Sequence, residues 1–333
     1  MTFIYYDSRD QQHDTYDATS NILTNFRKAA KCHRTVSESL KTIMRPGMKY
    51  TDICAHVEKS VYEYYGMNNI NNGMGFPVGI SVNNIYAHDT AYIGDNRIIN
   101  QNDIIKIDWG SQSNGYIIDT AHTYTFDNAD ISDKQRQLID ATRDATNTAI
   151  KMAGIDVLIN DISKEIQTVI KSYDIEPANG IGGHNIEQYK IHAGKLILCK
   201  PDMAPNYQTM RMKQNEIYAI ETFASTGTGI VRQDANIPIT HYMLNAKVNQ
   251  VYNFKITKQV YDWIVKNRGT MPFTQRWIEK DIKGNVMMGI NELMKRNIIT
   301  GYPALVAEDD AYTSQHEHTL YIHDKGIEVF SQT

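Results

Sequence analysis

No apolar run in this chain is long enough to cross a membrane. Stretches such as 304–307 and Ile104-Ile105 fall far short of the ~18 residues a span needs. A secretory start is missing too. The chain opens Met1-Thr2-Phe3-Ile4-Tyr5-Tyr6-Asp7, without a basic segment leading into a hydrophobic one, so export is not expected. Cysteines are few, at Cys32, Cys54 and Cys199, with no C-x-x-C pair. That excludes a disulfide framework or a cysteine zinc site and fits a reducing, cytoplasmic setting. A lysine-arginine block is also absent, and formal net charge is -4, so no nucleic-acid surface is expected. Short-period repeats and low-complexity segments are lacking as well.

What remains is an ordinary globular composition. Of 333 residues, 41% are hydrophobic and 22% charged, enough for a packed core. Residues 1–15 are polar and aperiodic and read as a mobile tail. Residues 16–333 read as one α+β catalytic domain with a helical insertion near 247–303. Helical periodicity runs from about Thr19 to Met44 and stops at Pro46-Gly47. Thr51 is the expected N-cap of the next helix, whose stripe is Ile53, Val57 and Val61 and whose end is Gly66. Ser132 and Gln135 form a capping-box pair that opens a further helix. After it, Ile162, Ile166, Val169, Ile170 and Tyr173 share a helix face. Within the insertion, Val260, Trp263 and Ile264 form one stripe, and Ile290, Leu293 and Met294 another. Two strand-like runs, 316–323 and 326–331, close the chain.

Chemistry concentrates in the strands. The segments 104–109 and 115–121 flank Asn114-Gly115, a hairpin signal. If the loop is Ser113-Asn114, Asp108 and Asp119 lie directly opposite each other. If it is Asn114-Gly115, Asp108 pairs with Ala121 and Asp119 lies two residues along on the same face. Either register puts two carboxylates on one face, where like charges destabilise unless a cation sits between them. Glu221 lies in another apolar strand, Tyr218-Ala219-Ile220-Glu221-Thr222-Phe223. Glu317 lies in Gln315-His316-Glu317-His318-Thr319-Leu320. Its neighbours His316 and His318 point to the opposite face and read as surface histidines. His184 follows Gly182-Gly183, expected as a loop. His192, His88 and His241 lie in further loops. Each residue alone has an ordinary structural reading. Together, two aspartates, two glutamates and one histidine make an oxygen-rich shell suited to two divalent ions such as Co, Mn, Fe or Zn.

The order and flanks of these residues resemble type 2 methionine aminopeptidases. The segments carrying the likeness are Gly75-Phe76-Pro77-Val78-Gly79, Ala87-His88, Lys106-Ile107-Asp108-Trp109-Gly110 and Ile118-Asp119-Thr120-Ala121. It continues through Gly183-His184-Asn185-Ile186, Gln188-Tyr189-Lys190-Ile191-His192-Ala193-Gly194-Lys195, Ala219-Ile220-Glu221-Thr222-Phe223, His241-Tyr242-Met243 and Gln315-His316-Glu317-His318-Thr319. Phe273-Thr274-Gln275-Arg276-Trp277 looks like the signature of the family's winged-helix-like insertion. The resemblance implies the pita-bread fold and a dinuclear site. Asp119 and Glu317 would bridge the two metals, Asp108 would chelate one, and His184 with Glu221 would complete the other. Glu221 would be the general base, and His88 and His192 would contact the scissile region. Phe76, Ile191, His241, Phe223 and Tyr302 would surround the methionine side chain. The implied activity is removal of the initiator methionine from nascent polypeptides by a monomer.

Some positions depart from the family pattern. Gly182 stands where a polar residue is usual, so a roomier or wetter pocket is expected. Asp89-Thr90-Ala91 replaces the usual continuation after His88. The long charged extension of many eukaryotic members is absent, which leaves ribosome tethering through such a tail unsupported; contact with the ribosome by another route stays an expectation. Two rival functions use the same scaffold. Prolidase and aminopeptidase P usually carry a separate N-terminal domain, and the 75 residues before Phe76 are too few for it. Non-catalytic proteins of the proliferation-associated type typically lack several of the five ligands, all of which this chain has.

Overall fold

The computed structural model describes residues 18–245 and 252–331; the tail expected over 1–15 lies outside the described residues. Two long helices come first, α1 (Ala18–Ile43) and α2 (Tyr50–Tyr65). Thr51 is not the N-cap of α2. Lys49 holds that position, without a side-chain cap bond, while Gly66 ends the helix at φ 69°. The strands β1 (Asn72–Val82), β2 (Ile85–Ala87), β3 (Ile105–Ser113) and β4 (Tyr116–Tyr124) follow. Next come α3 (Asp133–Met152), with the reciprocal Ser132–Gln135 cap, and α4 (Ile159–Ser172). The chain then runs through β5 (Glu176–Pro177), β6 (Gly182–Ile186), β7 (Leu196–Leu198), α5 (Pro205–Thr209), β8 (Ile217–Ser225), β9 (Arg232–Gln233) and β10 (His241–Leu244). Three helices, α6 (Lys255–Asn267), α7 (Gln275–Asp281) and α8 (Val286–Lys295), precede β11 (Ile299–Tyr302), β12 (Leu305–Val306), β13 (Thr313–His323) and β14 (Gly326–Val329). No helix among the described residues is long and apolar enough to cross a membrane.

Two sheets carry the architecture. One has the order β1-β3-β4 and the other β14-β13-β8-β6-β7. Helices α1 and α2 bury apolar stripes (Val36, Leu40, Ile53, Val57) against the first sheet. Helices α3 and α4 bury Leu138, Ala145, Ile162, Ile166 and Ile170 against the second. With one face of each sheet covered by helices, the other faces turn toward a common cleft.

The two sheets meet along β4 and β13. Thr319 Oγ1 donates to the Asp119 carbonyl at 2.6 Å and accepts from its N–H at 2.8 Å. Thr123 repeats the device on Gln315, donating to its carbonyl at 2.8 Å and accepting from its N–H at 2.9 Å. These paired bonds satisfy backbone groups that ladder pairing leaves open and fix β4 against β13. The remaining helices attach through a buried carboxylate. Glu58 on α2 accepts from Arg276, Trp277 Nε1 and Lys280 of α7 at 2.7, 2.8 and 2.9 Å.

Candidate metal centre

The first hairpin resolves to one of its two registers. Ser113 pairs with Tyr116, so Asn114-Gly115 is the loop, and Asp108 pairs with Ala121 while Gly110 pairs with Asp119. Both loop residues have positive φ, 51° and 80°, the type I′ geometry that matches strand twist. In the second sheet Glu221 of β8 and Glu317 of β13 are direct partners. His184 lies in β6, opposite Ala219 of β8. The expected loop at Gly182-Gly183 is therefore a strand. A Cβ on Gly183 would lie 2.4 Å from the Ala219 carbonyl oxygen, so glycine serves close strand approach, which a sequence reads as easily as a loop. Gly182, at φ +157°, is equally barred from a side chain, because its Cβ would lie 2.2 Å from the Ile197 oxygen.

These strands bring the five residues together. Ligand atoms of Asp119, His184 and Glu317 lie within 4.8 Å of one another, as do those of Asp108, Glu221 and Glu317. Glu317 belongs to both triplets. The grouping joins Glu221 to Asp108, whereas the family pattern pairs it with His184. His184 Nε2 is 3.5 Å from Asp119 Oδ2. Gln315, two residues before Glu317 on the same strand face, donates through Nε2 to Asp108 at 3.0 Å and to Glu221 at 2.6 Å. Sequence reasoning passed over it, although the period of two along β13 marks it.

Electrostatics leave this cluster favouring either bound protons or a bound cation. Burial, and then neighbouring carboxylates, hold Asp108, Glu221 and Glu317 well above the usual acid range. Asp108 Oδ1, Glu317 Oε2 and His184 Nδ1 are buried without a hydrogen-bond partner. Buried polar atoms are ordinarily satisfied, so the donor set fits divalent metal ions. Four carboxylates and one imidazole suit Mn, Co, Fe or Zn in an oxygen-rich setting.

Above the carboxylates lies a cavity of about 230 Å³. Its walls include Phe76, Ile191, Phe223, His241 and Tyr302, together with His88 and His192, and also Leu196, Leu198, Met243, Pro272 and Leu305. The last five escaped the sequence reading because nothing local marks an apolar residue as lining. Phe76 reaches the cavity through two breaks in the β1–β3 register around 74–79, bulges that tolerate Pro77 and re-aim the side chain. Its ring lies over Gly110, its cross-strand partner, where a Cβ would approach Phe76 Cε1 to 2.3 Å. Arg268, buried, donates to the Met74 and Gly75 carbonyls at 2.9 and 2.8 Å, so a residue of the helical segment holds this bulge.

His88 has φ 66°, a left-handed backbone that costs a non-glycine residue energy and persists where the surroundings hold it. Asp89 supports it from behind, accepting two bonds from Arg97 at 2.6 and 3.0 Å. That ion pair explains the departure at 89–91: the loop is pinned by charge. Burial lowers the His88 pKa, and its Nδ1 is unpartnered. His241 is pushed down to about 3 by burial, and its Nδ1 lies 3.2 Å from the His88 carbonyl oxygen, to which it donates. The His192 ring sits edge-on to His184 with centroids 4.2 Å apart, at the solvent side of the cavity.

A helix-backed two-sheet cleft floored by carboxylates that could hold divalent ions has the donor set of a metal-dependent enzyme. The sequence model described as Metallopeptidase family M24 matches residues 24–247, and the chain belongs to that family. Methionine aminopeptidase 2 of Komagataella phaffii is 36% identical, with 98% of this chain and 74% of that protein covered. Methionine aminopeptidase 2 of Debaryomyces hansenii is 37% identical over 94% and 75%. Among solved structures, a thermophilic Arx1 superposes with a TM-score of 0.80 at 20% identity, covering 95% of this chain and 91% of that one. The methionine aminopeptidase of Thermotoga maritima gives 0.65 at 17% identity, over 96% and 100%. The fold is thus the pita-bread fold of that family.

Proposed function

We propose that this chain is a methionyl aminopeptidase of the type 2 class, acting in the cytoplasm on nascent polypeptides that begin with methionine. One observation carries the proposal: two candidate metal-ligand triplets sharing Glu317 lie at the floor of a largely apolar cavity. The identity of over a third to proteins named methionine aminopeptidase 2 supports the choice of substrate.

Asp108, Asp119, His184, Glu221 and Glu317 would hold two divalent ions. Bound there, such ions supply a water whose pKa falls toward ~7 and a Lewis acid for the carbonyl. The chain's own groups account for the remaining requirements. Phe76, Ile191, Phe223 and Tyr302 form an apolar slot for a flexible thioether side chain. Glu221 would take a proton from the attacking water and return it to the leaving amine. Gln315 keeps one Glu221 oxygen occupied at 2.6 Å, which orients the other. His88 and His192 stand on the cavity wall, in position to donate to the developing oxyanion. Burial keeps His88 neutral near pH 7, so its donated hydrogen bond does not depend on protonating the ring.

Retention of all five candidate ligands favours this enzyme over a non-catalytic binding protein on the same fold. The deciding experiment strips the protein with a chelator and restores Mn, Co, Fe or Zn singly. Methionine release from Met-Ala-Ser is then measured beside hydrolysis of an X-Pro dipeptide. Metal-dependent release of methionine is expected. Cleavage of only the X-Pro dipeptide would assign a prolidase, and no hydrolysis with any metal would remove the enzymatic reading.

A further inference from the structure

The strand alternation that aims Glu317 into the cleft sends His316 and His318 to the other face of β13. They are not the surface histidines expected from the sequence. His318 is 6% exposed, and both rings face His122 of β4 across the seam between the sheets. The three ring centroids are separated by 4.8, 5.3 and 5.1 Å, a nearly equilateral arrangement. One nitrogen from each ring lies within 4.8 Å of the others.

We propose that His122, His316 and His318 form a second metal site that takes one zinc-class divalent ion, separate from the carboxylate centre on the opposite face of the same strands. Two nitrogens already stand at the right spacing. His122 Nδ1 and His316 Nδ1 are 3.4 Å apart, long for a hydrogen bond. Zn–N bonds of ~2.0–2.1 Å in tetrahedral geometry set the N···N edge at about 3.3–3.4 Å. The third ring is held from behind. Ser331 Oγ lies 2.9 Å from His318 Nδ1 and accepts from the Thr319 N–H at 3.0 Å. That oxygen support fixes the imidazole's orientation, as outer partners of metal-binding histidines do, and leaves the other ring nitrogen for the ion.

Access and charge agree with this assignment. Two cavities open onto the trio, one of about 230 Å³ touching His122 and His316 and one of about 340 Å³ touching His122 and His318. A three-histidine site on a cavity leaves the fourth position for water. Three cations border these spaces, and Arg34 among them donates to the Phe330 carbonyl. Arg143 pairs with Asp140 and Asp144 at 2.8 and 3.4 Å, and Lys41 with Glu38 at 3.1 Å. An all-imidazole set is softer than the carboxylate centre, so the two sites differ in preference: zinc and copper for the histidines, manganese only at the carboxylates.

The test counts bound zinc. Wild-type protein, His122→Phe and His316→Gln are chelated, equilibrated with excess zinc, desalted and analysed by atomic emission. Wild type is expected to hold one zinc per chain more than either variant. The difference is independent of how many ions the carboxylates hold, so it stands or falls separately from the proposed peptidase function. Equal counts in folded proteins overturn the proposal. A measurement on unaltered protein covers the case of variants that do not fold. Copper(II) added to manganese-loaded wild type should show electron paramagnetic resonance coupling to three imidazole nitrogens. Coupling to a single nitrogen, which His184 alone supplies, overturns the site.

Discussion

Glu221 and Glu317 are cross-strand partners in β8 and β13, buried and directly opposed. Two carboxylates in that relation repel at close range, and both are held well above the usual acid range, by burial first and then by their acidic neighbours. The pair is therefore a local liability in the empty protein and an asset once a cation is bound.

Metal removal should expose that liability. A carboxylate whose folded pKa is raised binds more protons folded than unfolded, so its contribution to stability declines as pH rises through that interval. Protons compete with metal for the same oxygens. Metal-induced stabilisation, read as the rise in Tm on adding Mn or Zn to chelated protein, is expected to be larger at pH 7.5 than at pH 5.5. Glu317→Gln should shrink that rise and leave the metal-free Tm equal to or above wild type. A metal-free variant less stable than metal-free wild type would show that Glu317 has a structural partner instead.

Glu221→Ala should abolish methionine release and lower metal occupancy. His88→Ala should keep its metal and lose at least ~10²-fold in rate, the scale of an oxyanion or acid-base contact. Metal analysis beside kcat on Met-Ala-Ser separates the two effects. An unchanged rate in His88→Ala would reassign its left-handed backbone to loop closure.

The glycine beneath Phe76 gives a test of the pocket. A methyl group at Gly110 would press on the Phe76 ring, 2.3 Å from the nearest carbon, and on the Ile118 carbonyl oxygen at 2.7 Å, pushing the ring into the cavity and crowding β4 beside Asp119. Gly110→Ala is expected to lower kcat/KM for methionyl peptides by roughly 10-fold, mainly through KM, in line with ~1–3 kcal/mol for a misfitted apolar pocket. Metal content measured alongside separates the loss of pocket fit from a shift of β4 at Asp119, the cross-strand partner of Gly110. An unaltered KM would mean that Phe76 does not contact the substrate side chain.

Much of this site was legible because its residues lie in strands of strict period two. Alternation put Asp108 and Asp119 on one face in either register and Glu317 on the face opposite His316 and His318, while the choice between the two turns waited on the structure. What stayed hidden depends on contacts between distant segments. The sequence does not show that Gly183 serves strand approach, that Asp89 meets Arg97, or that His122 on one sheet faces His316 and His318 on the other. The N-cap of α2 was misplaced for a local reason. Thr51 has the right chemistry, but Lys49 pairs with Ile98 in an isolated bridge and fixes the helix start two residues earlier.

Glu58 offers a test of how the helices of 255–295 are held. Its carboxylate is 6% exposed and receives bonds from Arg276, Trp277 and Lys280. Burial alone would raise its pKa, but the Arg276 and Lys280 charges outweigh burial, and the group sits below its ordinary 4.5. Lys280 is 62% exposed, so solvent screens it and Arg276 dominates. Glu58→Gln should destabilise the fold by about 3 kcal/mol at pH 7, the scale for stranding one member of a buried pair. The sign of the pH effect follows from the lowered pKa. The stabilisation is complete above the unfolded value near 4.3 and disappears as pH falls through the folded one. Urea midpoints of wild type and variant should therefore converge below about pH 4 and differ most at neutral pH. A constant gap across that range would mean that the Glu58 charge does not set the difference and that packing of α7 on α2 does.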